Sequence, residues 1–503
     1  MKSDVWYIID KQVHSNVTLH YYVNDSCFRR IYRLNSKFKL LFSNTLVFAL
    51  GSIGSKFIMF FLLPLYTNAL STEQYGIIEL VVTGCNLLIP LISLSIQDAV
   101  LRFALDKNNN SGEVLKGASL ILVCGTIIAV CMYPLVRLYE PISNWSFYFI
   151  IIMILNMYRT VFSLYIKAIG KTKLFAIDSI IYTVLLAISN IVLLLVFKMG
   201  IDGYFIAMTC ATLLSIVFLM ITGGIVKDIC TSKINKKLLK QMLIYSMPMI
   251  INAVSWWIAN SSDRIMLEYF VSAAAVGIYS VAVKMPSLLT SITGIFTQAW
   301  VISSVTEYDS TKDASFYEKT FSVYNFLLVV LASLIILVIK PFMQIYVGSD
   351  FIESWQYVPY LILGAIFLTY SSFFGAIYTS AKKNVSVMLT TLLGASVNIV
   401  LNFILIPRIG IQGATIATMV SYLIVGIYRM LGSRRYFEFY IDFKKVFVSM
   451  FVLITQCVVV SLDFYSAFLS LVCFAIIILL YLKEIFAFVE SFKKIIRNLV
   501  LKK

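Results

Sequence analysis

Residues 70–98 read LSTEQYGIIELVVTGCNLLIPLISLSIQD and residues 271–299 read VSAAAVGIYSVAVKMPSLLTSITGIFTQA. At an offset of 201, Leu70-Ser71 falls on Val271-Ser272, Gly76-Ile77 on Gly277-Ile278, and Gln97 on Gln298. Both stretches are apolar over the roughly 17–25 residues that a helix needs to cross a bilayer core about 30 Å thick. Each also carries one polar or small stripe. In the first, Glu79, Thr83, Asn86, Pro90, Ser93 and Gln97 recur at spacings of three and four, which is a single helical face. In the second, Ser280, Lys284, Ser287, Ser291, Gly294 and Gln298 occupy the same positions.

Working outward, the duplication continues. Asn190-Ile191-Val192 matches Asn398-Ile399-Val400 at offset 208, and Gly200-Ile201-Asp202-Gly203 matches Gly410-Ile411-Gln412-Gly413 at offset 210. Fourteen apolar windows follow one another at 43–68, 76–98, 115–136, 146–167, 174–197, 203–226, 241–262, 274–300, 321–340, 357–380, 385–406, 412–432, 446–462 and 464–482. Open sheet is excluded at this density, because unpaired backbone groups find no water inside lipid. The expected fold is therefore an all-α polytopic membrane protein of about 14 transmembrane helices. Spans 1–6 and 7–12 form two parallel six-helix repeats, since an even number of spans returns each copy to the same orientation, and spans 13 and 14 are a two-helix C-terminal addition. The expected divisions are a tail at 1–40, a first lobe at 41–238, a second at 239–433, and the last two helices with their tail at 434–503.

Composition agrees. Sixty per cent of the 503 residues are apolar and 13% charged, with a mean hydropathy of +0.89, far from the composition of a soluble enzyme or a disordered chain. The net charge of +16 has a topological origin. With the N-terminus inside, 33 of the 41 Lys and Arg fall on the inner side, and five (Arg137, Lys198, Arg264, Lys340, Arg408) fall outside. That bias predicts both termini in the cytoplasm, with anionic lipid headgroups rather than nucleic acid as the partners of the charge. Residues 1–40 lack the apolar core of a secretion signal, so the first span is read as an uncleaved insertion signal. Eight dispersed cysteines without a C-x-x-C pair and two tail histidines, His14 and His20, predict neither disulfides nor a metal site. No cofactor and no catalytic residue is expected.

The remaining bases, Lys56, Arg159 and Lys284, lie inside spans, where a charge costs about 2.5–3.5 kcal/mol on insertion scales and marks function by default. Lys56 is roughly 18 Å from the outer end of span 1 and Lys284 roughly 15 Å into span 8. Glu79, about 5 Å below the outer edge, is too shallow to pair readily with Lys56. Arg159 lies within snorkelling reach of the inner surface. Small residues packed between helices would produce the same stripes, but the ionisable groups favour a water-accessible cleft between the lobes. Such a cleft is expected to be net cationic and to suit an anion, phosphate above all. Its expected lining is Glu79, Thr83, Asn86, Ser93, Gln97, Ser280, Ser287, Ser291 and Gln298.

The run Gly51-Ser-Ile-Gly-Ser-Lys56, then Leu63-Pro-Leu-Tyr-Thr-Asn68, Leu70-Ser-Thr72 and Tyr75-Gly76, resembles the opening of the Wzx-like polysaccharide-transporter family, within the multidrug/oligosaccharidyl-lipid/polysaccharide exporter superfamily. Asp263-Arg264, Gly277-Ile-Tyr-Ser280 and Ala282-Val-Lys-Met-Pro286 resemble the start of its second half. The resemblance implies a flippase of the bacterial cytoplasmic (inner) membrane. Its cargo would be undecaprenyl-pyrophosphate-linked oligosaccharide of an O-antigen, capsule or related lipopolysaccharide pathway. By that likeness Lys56, Lys284 and Arg264 would meet its pyrophosphate or acidic sugars, with a polymerase and chain-length proteins as pathway partners, while Arg159 is a further candidate substrate-binding base from its own place inside span 4. The residues leave rivals open. An exporter of small organic cations wants a central acid where this chain has bases. A membrane polymerase or transferase wants a large outer loop or clustered carboxylates. A peptidoglycan-precursor flippase shares the superfamily.

Overall fold

The computed structural model describes residues 58, 60–106, 108–310, 314–462, 466–486 and 490. The tail, most of span 1 with Lys56, and the turn at Asp463 lie outside the described residues. Each expected window has its helix. Residues 60–69 are α1, and the first half continues through α2 (Thr72–Ile92), α3 (Ser111–Cys131), α4 (Ser146–Ala168), α5 (Thr172–Asn190) and α6 (Gly200–Gly223). The second half holds α7 (Lys236–Phe270), α8 (Ala273–Ser310), α9 (Ala314–Tyr346), α10 (Val358–Ser380), α11 (Asn384–Ile409) and α12 (Ile411–Ser433), followed by α13 (Phe443–Leu462) and α14 (Ser466–Leu480). Among the described residues, eleven helices are individually long and apolar enough to cross a membrane, and α7, bent by 55° between Lys236–Ile258 and Asn260–Phe270, makes a twelfth if taken as one span. Among the described residues there is no strand. The chain is an all-helical, multi-pass membrane protein.

Local chemistry repeats with the sequence. Ser71 caps α2 in a reciprocal box with Gln74: its hydroxyl accepts from the Gln74 amide at 3.2 Å, and Gln74 Oε1 accepts from the Ser71 amide at 3.1 Å. The equivalent Ser272 caps α8, accepting from the Ala275 amide at 3.2 Å. Directly beyond these caps the two helices cross at their glycines. A Cβ on Gly76 would stand 1.8 Å from the Ala273 carbonyl oxygen, and one on Gly277 would stand 2.1 Å from that of Thr72. Only residues without side chains allow backbones so close, as at other membrane helix crossings. At the same end, the Gly348 amide donates to Thr67 Oγ1 at 3.0 Å and joins α1 to the α9–α10 connection. These contacts close this end of the bundle.

Elsewhere α4, α5 and α6 pack together, as do α10, α11 and α12. Helix α10 is the most enclosed, with 83% of its apolar window buried, whereas α5 has 22% and faces outward. The hairpin α13–α14 docks on α9 through buried polar bonds. Ser333 donates to Gln456 Oε1 at 2.6 Å, and Gln456 Nε2 donates to Ser470 Oγ at 3.0 Å. Interhelical hydrogen bonds of this kind fix register where lipid offers no hydrophobic contrast. Helix α7 is a strut between the halves. Its lower part meets the first half, with Asn235 donating to Glu113 at 2.9 Å and Tyr245 edge-on to Phe103 at 5.8 Å. Its upper part meets α11 and α12.

Candidate functional site

Immediately inward of the glycine crossing, α2 of one half presents a carboxylate to two bases of the other. Glu79 Oε1 accepts from Lys284 Nζ at 2.9 Å, and Arg264 Nε stands 3.4 Å from Glu79 Oε2. Tyr75 donates to the same carboxylate at 3.1 Å. Arg264 also donates to Ser280 Oγ at 3.1 Å and to the Asn260 carbonyl at 3.4 Å. The carboxylate and guanidinium side chains are 12% and 11% exposed, whereas that of Lys284 is 39% exposed, so the amine is the member that a ligand can reach.

This geometry corrects three sequence readings. Lys284 is held on Glu79, an ion pair weighed from the sequence only for Lys56. The triad of two bases and one acid keeps a net charge of +1. Glu79 is deeper than expected, since α2 begins at Thr72 and places it about 10 Å along the helix. Arg264 is no outer-loop base, because α7 continues to Phe270.

The polar stripes divide along their length. Thr83 and Ser280 are buried in the seam, with the Thr83 carbonyl accepting from Trp257 Nε1 at 2.9 Å. Further inward, Asn86 and Ser287 are exposed and Ser291 is half-buried. A Cβ on Gly294 would meet nothing within 4 Å. Ser93, expected in the cleft, is fully buried and donates to Gln97 Oε1 at 3.2 Å. Lys56 and the Gln298 side chain lie outside the described residues. Thiols introduced at 287 and 291 are expected to react with a charged maleimide at least about tenfold faster than one at 280, measured by mass shift, because the Ser280 site is closed by protein.

Arg159 is not brought to this triad. Its Nη2 pairs with Asp178 at 3.1 Å, its Nε donates to Ser215 at 2.7 Å, and its guanidinium lies 3.8 Å above the Tyr182 ring. The base is anchored inside α4–α6 rather than snorkelling. Two features escaped the sequence. Asp263 accepts from Asn402 at 2.5 Å, Tyr279 at 2.6 Å and Thr418 at 2.9 Å, and among the described residues no base pairs with it. Its signal was the repeated Asn-Ile-Val at 398, one turn from Asn402. Arg429, counted with the inner bases, is buried in α12 and among the described residues bonds only neutral acceptors: Thr390, Thr391, Ser371 and the Val387 carbonyl. Among the described residues no group of acids, histidines or cysteines could hold a metal ion.

A closed end, a partly open polar seam and charges paired between two helical halves describe an all-helical membrane fold that solved transporters share. The lipid II flippase MurJ, in an inward closed conformation, superposes with a TM-score of 0.64 at 14% identity, over 88% of this chain and all of that one. An inward-facing multidrug resistance MATE family transporter superposes with a TM-score of 0.62 at 12% identity, over 77% and 94%. A transporter of the same superfamily from Pyrococcus furiosus, described as having a binding pocket of reversed polarity that suggests a different function, gives a TM-score of 0.55 at 12% identity, over 78% and 94%. Residues 41–304 match the family model described as polysaccharide biosynthesis protein, and the chain belongs to that family. An uncharacterized membrane protein of Methanocaldococcus jannaschii is 26% identical over 251 residues, 47% of this chain. The chain spans about half the length of that curated relative, 49%.

Proposed function

We propose that the protein is a flippase that carries a polyprenyl-pyrophosphate-linked oligosaccharide, such as an O-antigen or capsule repeat unit, across the bacterial cytoplasmic membrane. The six-helix lobes at 41–238 and 239–433 would alternate access, with both termini cytoplasmic. One observation carries this reading. Two bases of the second half share one carboxylate of the first, and one of them, Lys284, keeps 39% of its side chain exposed. Opening the sealed end pulls Glu79 from Lys284 and Arg264. Two bare cations in a low-dielectric seam are costly, since a unit-charge pair at 4 Å is worth about 4 kcal/mol at an effective dielectric of 20. An entering pyrophosphate carries more negative charge than a single carboxylate and is a stronger acceptor for both bases. It would take Glu79's place and free the lobes to part, so that cargo binding lowers the barrier to opening.

The polyprenyl chain would stay in lipid, while the headgroup crosses within the seam. Partners acting on the delivered unit, a polymerase and chain-length proteins, fit this reading. The cation-exporter alternative is disfavoured because Glu79, the acid of the triad, is already paired with two bases. A peptidoglycan-precursor flippase uses the same anion chemistry and differs in the sugars.

The test is the charge-balanced double variant Glu79→Gln/Lys284→Gln, which leaves no unpaired carboxylate. It is expected to insert and melt like the wild type. In proteoliposomes it should flip a short-chain polyprenyl-pyrophosphate-linked fluorescent disaccharide at least about tenfold more slowly, the loss of a charged hydrogen bond worth about 1.5–3 kcal/mol. Wild-type flipping by this variant refutes the assignment.

A further inference from the structure

Below the bend in α7, a group of side chains takes no part in the triad. Asn252, Trp256 and Asn260 are all exposed, Trp256 by 52%. They follow at four-residue steps and so share one helical face. They lie about 15–27 Å of helix below Phe270, well inside the bilayer rather than at the interface where lipid-facing tryptophans gather. Among the described residues neither the Trp256 indole N–H nor the Asn252 amide has a hydrogen-bond partner. Hydrocarbon is a poor neighbour for such groups.

The backbone explains where they face. Above Asn260 the same side of α7 is packed on α12, with Thr418 donating to Asp263 at 2.9 Å. The last of these contacts is the Tyr422 hydroxyl donating to Asn260 Oδ1 at 3.1 Å. Below it the 55° bend carries α7 away to the first half. Below this contact the Asn252–Trp256 surface is left uncovered by protein.

We propose that Asn252, Trp256, Asn260 and Tyr422 form a sugar platform for uncharged pyranoses of the cargo, separate from the bases that take its pyrophosphate. The inference rests on the flippase reading and assigns the glycan part of the same substrate. A pyranose has an apolar C–H face and a rim of hydroxyls. A flat indole beside the Asn252 amide, which both donates and accepts, matches both, while Asn260 is held in place by donating to the Trp256 carbonyl at 2.7 Å. The patch holds no charged side chain, so it selects neutral rings. Trp256 and Arg264 are eight residues apart, about 12 Å along the helix, so the two patches serve different parts of one headgroup.

Full-length protein in nanodiscs separates the possibilities. Thiols at 252 and 256 should react with a membrane-impermeant sulfonate reagent; labelling only by lipid-soluble reagents overturns the platform. On an array of neutral bacterial oligosaccharides, the wild type should retain a subset, Trp256→Ala should weaken it at least about tenfold, and Trp256→Phe should weaken it less. No glycan retained by the wild type, or equal retention by Trp256→Ala, also overturns it. Farnesyl pyrophosphate, which has no sugar, should bind both wild type and Trp256→Ala equally. Loss of that binding in the wild type, with Trp256-dependent glycan retention intact, would sink the pyrophosphate reading and leave the platform standing.

Discussion

Valine at position 277 is expected to prevent the sealed end from closing and to reduce transport about a hundredfold. The reason is the identity of the colliding atoms. A Cβ there would stand 2.1 Å from the Thr72 carbonyl oxygen, a backbone atom in the first turn of a capped helix, with no flexible side-chain tip to move aside. The helices must separate by more than an ångström, and the ion pair of 2.9 Å between Lys284 and Glu79 lies two turns from Gly277 and one turn from Gly76 on the same surfaces. Overpacking costs about 1–3 kcal/mol before that pair is lost, enough to shift a two-state equilibrium by about 5- to 150-fold. A disulfide between cysteines placed at Thr72 and Ala273 reports closure directly, and its yield should fall with transport. Gly76→Val should behave alike. Gly294→Ala, in the same helix but open to space, should change neither. Full cross-linking and full transport in Gly277→Val would mean that the crossing plays no part in gating.

That crossing was legible in the sequence to an unusual degree. The offset of 201 that paired Gly76 with Gly277 also paired Ser71 with Ser272, and the structure uses both pairs alike: serines cap, glycines cross. Helix positions followed from hydropathy because a bilayer demands length and apolarity before anything else. The site was less readable. A stripe on a helix shows which residues share a face, but not which neighbour covers it, so Thr83, Ser280 and the open positions 287 and 291 looked equivalent. Glu79 was placed too shallow because the apolar window started at 76, whereas the Ser71 cap starts the helix at Thr72. A polar first turn is invisible to hydropathy. Asp263 and Arg429 were missed because each is satisfied by neutral side chains from other helices, which charge counting ignores.

Arg159→Ala is expected to cost about 3–5 kcal/mol of stability, among the largest single effects in the molecule. It leaves the Asp178 carboxylate, which has no exposed surface, with Ser215 as its remaining partner at 2.5 Å. Such a loss is a large share of the stability of a typical domain. Removing the charge from both sides tests whether the damage comes from the orphaned carboxylate. Arg159→Gln/Asp178→Asn should regain most of the stability in thermal melts of the purified protein, and should transport within about threefold of the wild type. A stable Arg159→Ala that fails to transport would instead return this base to the cargo path. Arg429 provides the contrast. Its side chain is buried as well, yet Thr390 and Thr391 already donate to the Val387 carbonyl at 2.8 and 2.9 Å, so Arg429→Ala strands no charge and few polar groups. It should cost about 1–3 kcal/mol, the range for hydrogen-bond groups left unpaired. The two arginines thus differ less in burial than in what each leaves behind, and Arg159→Ala should melt at the lower temperature.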